Sequence, residues 1–109
     1  MIETEQAVAN ADAIAAVPGV DAVLIGTNDL CVEMGIPGQY DHPDVVAAYG
    51  KVLAACAKHG KFPGMGGIRT DAQLRKYIGM GMRMILAGVE AGMIIAAGQE
   101  RTAFMRGCA

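Results

Sequence analysis

The sequence predicts an α/β protein in which parallel strands alternate with covering helices, and three observations lead there. Short aliphatic runs end in glycine; the clearest, Val20 to Gly26 (VDAVLIG), is near-continuous, as expected of a strand covered on both faces. The stretches between such runs carry apolar residues at helical spacing. Glycine is frequent, 15 of 109 residues with no Trp, and glycine-rich turns after short apolar runs suit this architecture better than a helical bundle.

Taken in order, Met1 to Glu3 reads as a strand stub. Glu5 to Val17 then places Val8, Ala11, Ile14, Ala15 and Val17 near one helical face, and Pro18-Gly19 ends that helix. After the strand at 20–26, Thr27 to Asp41 contains Gly35, Pro37 and Gly38 without a sustained period, which predicts a long βα loop of the kind that carries function. The next helix starts near Pro43, with Asp41 or His42 as cap, and its stripe of Val45, Val46, Tyr49, Val52, Leu53 and Cys56 runs to Gly60. Lys61 to Ile68 (KFPGMGGI) is a short strand or strand-to-loop segment. Thr70 and Gln73 fit a capping box for a helix through Leu74, Tyr77 and Ile78 that ends at Gly79. Met82 to Ala87 supplies the last strand and Glu90 to Arg106 the last helix.

Four strand–helix units with right-handed crossovers make a (β/α)4 arrangement, half of a TIM-type (β/α)8 barrel. A complete barrel takes about 250 residues, and an open four-stranded version leaves both edge strands unpaired. The chain is therefore expected to be a fragment or to complete itself with another copy, and the clipped first strand favours a fragment.

Composition narrows the function classes. With 53% hydrophobic residues, 18% charged residues and a net charge of -2, the chain has no basic footprint for nucleic acid and too many aliphatic residues for disorder. Its apolar runs fall short of the roughly 18 residues of a membrane helix, so no membrane partner and a cytoplasmic location are expected. Three separated cysteines, Cys31, Cys56 and Cys108, predict reduced thiols and neither a zinc site nor a disulfide framework.

In a barrel the chemistry gathers at the C-terminal ends of the strands, which selects Glu3, at the end of the stub, and Asp29, just after Gly26-Thr27-Asn28. Neighbouring parallel strands lie about 4.8 Å apart, so two such carboxylates can share a hard divalent ion that takes one or two protein ligands and leaves its other positions to water and substrate. The same residues also fit a turn cap and a solvated glutamate. His42 reads as a helix cap beside Pro43, and His59 as an exposed residue at a helix C-terminus. Arg69 and Arg83 read as solvated or ion-paired, Cys31 as a small loop residue, and Met80, Met82 and Met84 as core or interface filling. Gly79-x-Gly81 precedes a strand and lacks a third glycine, which removes a dinucleotide fingerprint; the GMGG segment is a weak phosphate cradle because no helix start follows closely.

Ile2-Glu3-Thr4, Val-Pro-Gly-Val-Asp at 17–21 and Leu24-Ile25-Gly26-Thr27-Asn28-Asp29-Leu30, followed by His42-Pro43, Gly64-Met65-Gly66-Gly67 and Gly81-Met82-Arg83, resemble the HpcH/HpaI aldolase family of metal-dependent pyruvate aldolases. The resemblance covers essentially the whole chain and implies that residues 1–109 match the C-terminal half of that barrel, its fifth to eighth strands, with the N-terminal half absent. It implies Glu3 and Asp29 as ligands of Mg²⁺, Mn²⁺ or a similar ion such as Co²⁺, and the backbone N–H groups of Gly26, Thr27 and Asn28 as the holders of the pyruvate carboxylate. Thr27 replaces the proline of many relatives, with little change expected where contact is through the main chain. The implied activity is reversible retro-aldol cleavage of a 4-hydroxy-2-oxo acid to pyruvate and an aldehyde, in a homo-oligomer. A CoA-ester lyase of malyl or citryl type and a partial barrel active only on assembly are the alternatives. The arginine and histidine that this family uses for the keto oxygen and for proton transfer belong to its first half-barrel, and neither His42 nor His59 matches them.

Overall fold

The computed structural model describes residues 1–108; Ala109, the last residue of the expected unit, lies outside them. Three strands, β1 (Ala22–Gly26), β2 (Phe62–Gly66) and β3 (Met84–Ile85), form a parallel sheet in the order β1-β2-β3. Ile2 joins the other side of β1 through a parallel bridge to Ile25, with Ile2 N–H donating to Leu24 O at 2.7 Å and Gly26 N–H donating to Ile2 O at 2.9 Å. Sequence order and spatial order thus coincide, as in a barrel wall and unlike a doubly wound sheet.

Between these strands run α1 (Glu5–Ala9) and α2 (Ala11–Ala15), then α3 (Thr27–Glu33) and α4 (Pro43–His59), then α5 (Asp71–Met80); α6 (Glu90–Gly107) follows β3. Several expectations need correction. The first helix is two short ones meeting at Asn10, which caps both. The segment expected as a loop from Thr27 to Asp41 begins with α3, and only Met34 to His42 is irregular. In the last strand just Met84 and Ile85 pair, against Gly64 and Met65, and α5 runs one residue past Gly79 to Met80, where Gly81 at φ 124° stops it. The cap readings agree with the structure: His42 Nδ1 accepts from Asp44 N–H, and Thr70 Oγ1 accepts from Gln73 N–H and donates to Gln73 Oε1.

The two faces of the sheet differ. Ile2, Val23, Ile25 and Met65 pack with Val45, Tyr49 and Val52 of α4 and with Val8, Ala11 and Ala15 into the core. On the opposite face the register aligns Leu24, Gly64 and Met84 in one row and Gly26 with Gly66 in the next. That face would line the interior of a closed barrel; here Met84 and Leu86 are exposed on it. Helix α6 has no buried residue and projects from the body, so the molecule measures 61 × 30 × 21 Å with a radius of gyration of 16.9 Å, against about 13 Å for a compact domain of this size. Among the described residues no helix is long and apolar enough to cross a membrane.

Candidate functional site

The bridge of Ile2 to Ile25 sets the level of the next residue along each strand, bringing Glu3 beside Gly26 at the C-terminal end of the sheet. The Glu3 side chain lies across that glycine on the open face: a Cβ built on Gly26 would stand 2.6 Å from Glu3 Oε1 and 2.7 Å from its Cγ. The backbone of Gly26, at φ -84° and ψ 85°, is open to other residues, so what glycine provides here is room for a carboxylate. Asp29 follows in the first turn of α3, exposed, at the same end of the sheet. Gly67, at φ 88°, supplies a second close approach from the end of β2, where an added Cβ would stand 3.0 Å from Asn28 N.

Thr27 points the other way. It is fully buried on the helix-covered face, and its hydroxyl donates to Gly66 O at 2.7 Å. Since that hydroxyl has a single proton, the 2.6 Å bond between Thr27 and Tyr49 must be donated by Tyr49. Burial pushes the Tyr49 phenol up to about 12, so it stays protonated and a donor. Tyr77 stacks on Tyr49 with ring centroids 3.9 Å apart, its own phenol raised by burial, and donates to Tyr40 O. Tyr40 in turn donates to Asn28 Oδ1 at 3.1 Å. All three tyrosines of the sequence therefore converge on the turn after β1. Sequence reasoning missed this network, whose available signal was two tyrosines inside apolar helical stripes: a buried phenol needs a partner.

The remaining candidates sit elsewhere. Cys31 is a buried residue of α3 and no loop residue, and burial raises its thiol, which keeps it a protonated, inert group. His59, expected as an exposed residue at a helix C-terminus, is half-buried and bonds Asp12 Oδ1 at 2.9 Å, just before the start of β2. Arg83 donates to the carbonyls of Ile78 and Met82. Arg69, exposed, borders a largely apolar cavity of about 520 Å³ whose walls include Gly67, Leu86, Gly88, Val89 and Met93. Met82 is core, whereas Met80 and Met84 are surface residues.

The donor chemistry at the strand ends suits a hard cation. Glu3 and Asp29 offer carboxylate oxygens, Gly26 leaves the space that one of them occupies, and an ion of the Mg²⁺ type needs one or two such ligands beside water and substrate oxygens. No cluster of three or more His, Cys, Asp or Glu side chains able to hold a metal ion gathers among the described residues.

Comparison with known proteins places this geometry. The model of the HpcH/HpaI aldolase/citrate lyase family matches residues 1–97. The chain is 36% identical over 102 residues to the 4-hydroxy-4-methyl-2-oxoglutarate aldolase of Hapsidospora irregularis, covering 92% of this chain and 38% of that protein. It is also 36% identical over 100 residues to the 5-keto-4-deoxy-D-glucarate aldolase of Shigella dysenteriae, covering 91% and 38%. The crystal structure of an HpcH/HpaI aldolase/citrate lyase family protein from Burkholderia cenocepacia superposes with a TM-score of 0.84 at 32% identity, over 96% of this chain and 40% of that one. The chain thus spans about two-fifths of the length of these relatives, and the strand order seen here is an arc of their barrel. With the family model matched across nearly its whole length, and with these relatives, the chain belongs to the HpcH/HpaI aldolase/citrate lyase family.

Proposed function

We propose that this chain forms the metal-binding and pyruvate-binding part of a carbon–carbon lyase that reversibly cleaves a 4-hydroxy-2-oxo acid into pyruvate, or an analogue, and an aldehyde. One observation carries the reading: the Glu3 carboxylate rests in the space left by Gly26, at the strand end from which Asp29 follows three residues later. Glu3 and Asp29 would hold Mg²⁺ or Mn²⁺, which when bound supplies positive charge opposite the negative charge that develops on the pyruvate oxygens as the C3–C4 bond breaks. The N–H groups of Thr27 and Asn28 orient the pyruvate carboxylate, with Gly67 leaving the approach to Asn28 open; the Gly26 N–H, expected to share this role, is instead donated to Ile2 O. No lysine is assigned a covalent role. Proton transfer falls to residues outside this chain, because its two histidines are occupied in capping α4 and in pairing with Asp12.

The test pairs Mn²⁺ binding by the chain with Mn²⁺-dependent pyruvate release from a 4-hydroxy-2-oxo acid in the complete enzyme. Asp29→Ala and Glu3→Gln should each weaken Mn²⁺ binding at least tenfold, of the order seen when a metal site loses support. Unchanged binding and release in Asp29→Ala overturn the assignment. The exposed inner row of Met84 and Leu86 favours a second element of the proposal, that activity requires assembly with further barrel wall and that the enzyme is a homo-oligomer. A compact monomer on size-exclusion chromatography that cleaves substrate unaided excludes it.

A further inference from the structure

We infer that Thr27, Tyr49, Tyr77 and Tyr40 are positioning residues that hold the strand-end backbone of Thr27 and Asn28 in the orientation needed to receive a carboxylate. The inference rests on the pyruvate reading above and assigns residues to it that touch neither metal nor substrate. The turn is tied from both sides. On the covered side the Thr27 hydroxyl bonds Gly66 O and receives the Tyr49 proton, so the ends of β1 and β2 are locked together beneath the turn. On the outer side Tyr40 holds the Asn28 side chain, and Tyr40 is itself fixed through its carbonyl by Tyr77. The stack of Tyr49 on Tyr77 joins the two ties, so one rigid aromatic pair sets the positions of consecutive residues 27 and 28.

The arrangement is specific to a hydroxyl at position 27. A residue with no side-chain donor leaves Gly66 O and the Tyr49 phenol buried and unsatisfied, and each such group is destabilising. Apart from the phenols of Tyr49 and Tyr77, Thr27 carries the one buried polar side chain among the described residues, and its hydroxyl serves only Gly66 O and Tyr49. A buried polar network that is fully satisfied fixes a unique geometry, and peptide N–H groups aimed at a ligand work only if their direction is fixed before it arrives.

The experiment measures amide hydrogen exchange and ¹H–¹⁵N shifts of the full 109-residue chain, free and with Mg²⁺ plus pyruvate, in wild type, Thr27→Val, Thr27→Ser and Tyr40→Phe. Valine keeps the shape and removes the hydroxyl; serine keeps the hydroxyl. Tyr40→Phe removes only a bond to the exposed Asn28 side chain and so leaves the fold intact even where Thr27→Val does not. In the free chain the Thr27 and Asn28 amides should exchange about tenfold faster in Thr27→Val and Tyr40→Phe, relative to Val23 and Ile25, and at wild-type rates in Thr27→Ser. Pyruvate affinity should fall by a similar factor in the first two variants and recover in the third. Wild-type exchange and affinity in both Thr27→Val and Tyr40→Phe overturn the inference. Uniformly faster exchange throughout the sheet, with unchanged pyruvate affinity, also overturns it, because the network is then merely structural. A wild-type chain whose amides ignore Mg²⁺ and pyruvate, while the variants still loosen the turn, sinks the pyruvate reading and the purpose given to the network, and leaves the tether itself measured.

Discussion

The two ends of this chain treat apolar surface in opposite ways. Around β1 the large side chains are mostly covered: Ile25, Leu30, Val45, Tyr49, Val52, Met65 and Tyr77 are buried and the polar groups among them are bonded, with Val32 and Phe62 left exposed at the margin. Beyond β3 the pattern reverses, with Val89, Met93, Ile94, Ile95, Phe104 and Met105 of α6 and its entry all more than half exposed. The difference lies in the partners available. The β1 region has helices of its own on one face and a neighbouring strand on each edge, whereas β3 has one described neighbour and α6 buries none of its residues. Order at the candidate site is thus built from within the chain, and order at α6 is not.

The largest expected contrast is in stability. Tyr77→Ala removes a fully buried ring from the stack with Tyr49 together with its bond to Tyr40, and should cost about 3–5 kcal/mol, the range for large aromatic deletions. Ile94→Ala on α6, where the side chain is 71% exposed, should stay within about 0.5 kcal/mol of wild type. Urea denaturation at equal protein concentration measures both. A cost above about 1 kcal/mol for Ile94→Ala would break the comparison, since α6 would then have a partner in solution.

Much of this division is readable from the sequence, and the reasons for what is not are physical. Glycine ends, proline starts and capping pairs are local signals, so α4 and α5 follow from residues near them, whereas the level of Glu3 against Gly26 is set by the long-range bridge of Ile2 to Ile25. Helix α3 was hidden because its apolar contacts, Leu30 and Cys31, span a single turn before Gly35 intervenes, too short for a period to register. The tyrosine network was hidden for a different reason: its bonds link residues 12 to 39 positions apart, and nothing at Thr27 alone distinguishes a hydroxyl facing solvent from one facing Tyr49. Whether the last helix is covered also has no local signature. Its pattern of Ala and Met suits a covering helix, and only the fold shows that none of its residues is buried.

Glycines sharpen the comparison at a smaller scale. Gly50, within α4, has nothing within 4 Å of an added Cβ, so Gly50→Ala should stabilise the chain by about 0.5–1 kcal/mol through helix propensity. Gly26→Ala meets the flexible end of Glu3 instead. The carboxylate can swing aside, so stability should change by less than about 1 kcal/mol, while Mn²⁺ affinity should drop about 10–100-fold, the usual effect of disturbing support around a metal ligand. Calorimetric Mn²⁺ titration beside thermal unfolding separates the two, and a Gly26→Ala variant with native Mn²⁺ affinity would show that Glu3 does not bind where it rests.

The smallest effect concerns charge at the two sides of the ordered region. Asp12 of α2 meets Lys58 and His59 at the end of α4, each at 2.9 Å, and those hydrogen bonds hold its carboxyl below the ordinary value of 3.8. Asp41, in the segment that carries Tyr40, is held below its ordinary value by Lys76 and Gln73. Both folded values lie under the unfolded one, so folding favours the ionised carboxylates. Their contribution is fully present above about pH 4 and disappears as pH falls through the lower folded values. Both aspartates are exposed, so the contribution is small and salt should screen it. In thermal unfolding followed from about pH 5 to pH 2, Asp12→Asn and Asp41→Asn should each flatten part of the acid-side loss. Only Asp41→Asn should also loosen the Asn28 amide, because Asp41 adjoins Tyr40 whereas Asp12 serves the packing of α2 on α4. Equal behaviour of the two variants at Asn28 would mean that the outer tie is set by Tyr77 alone.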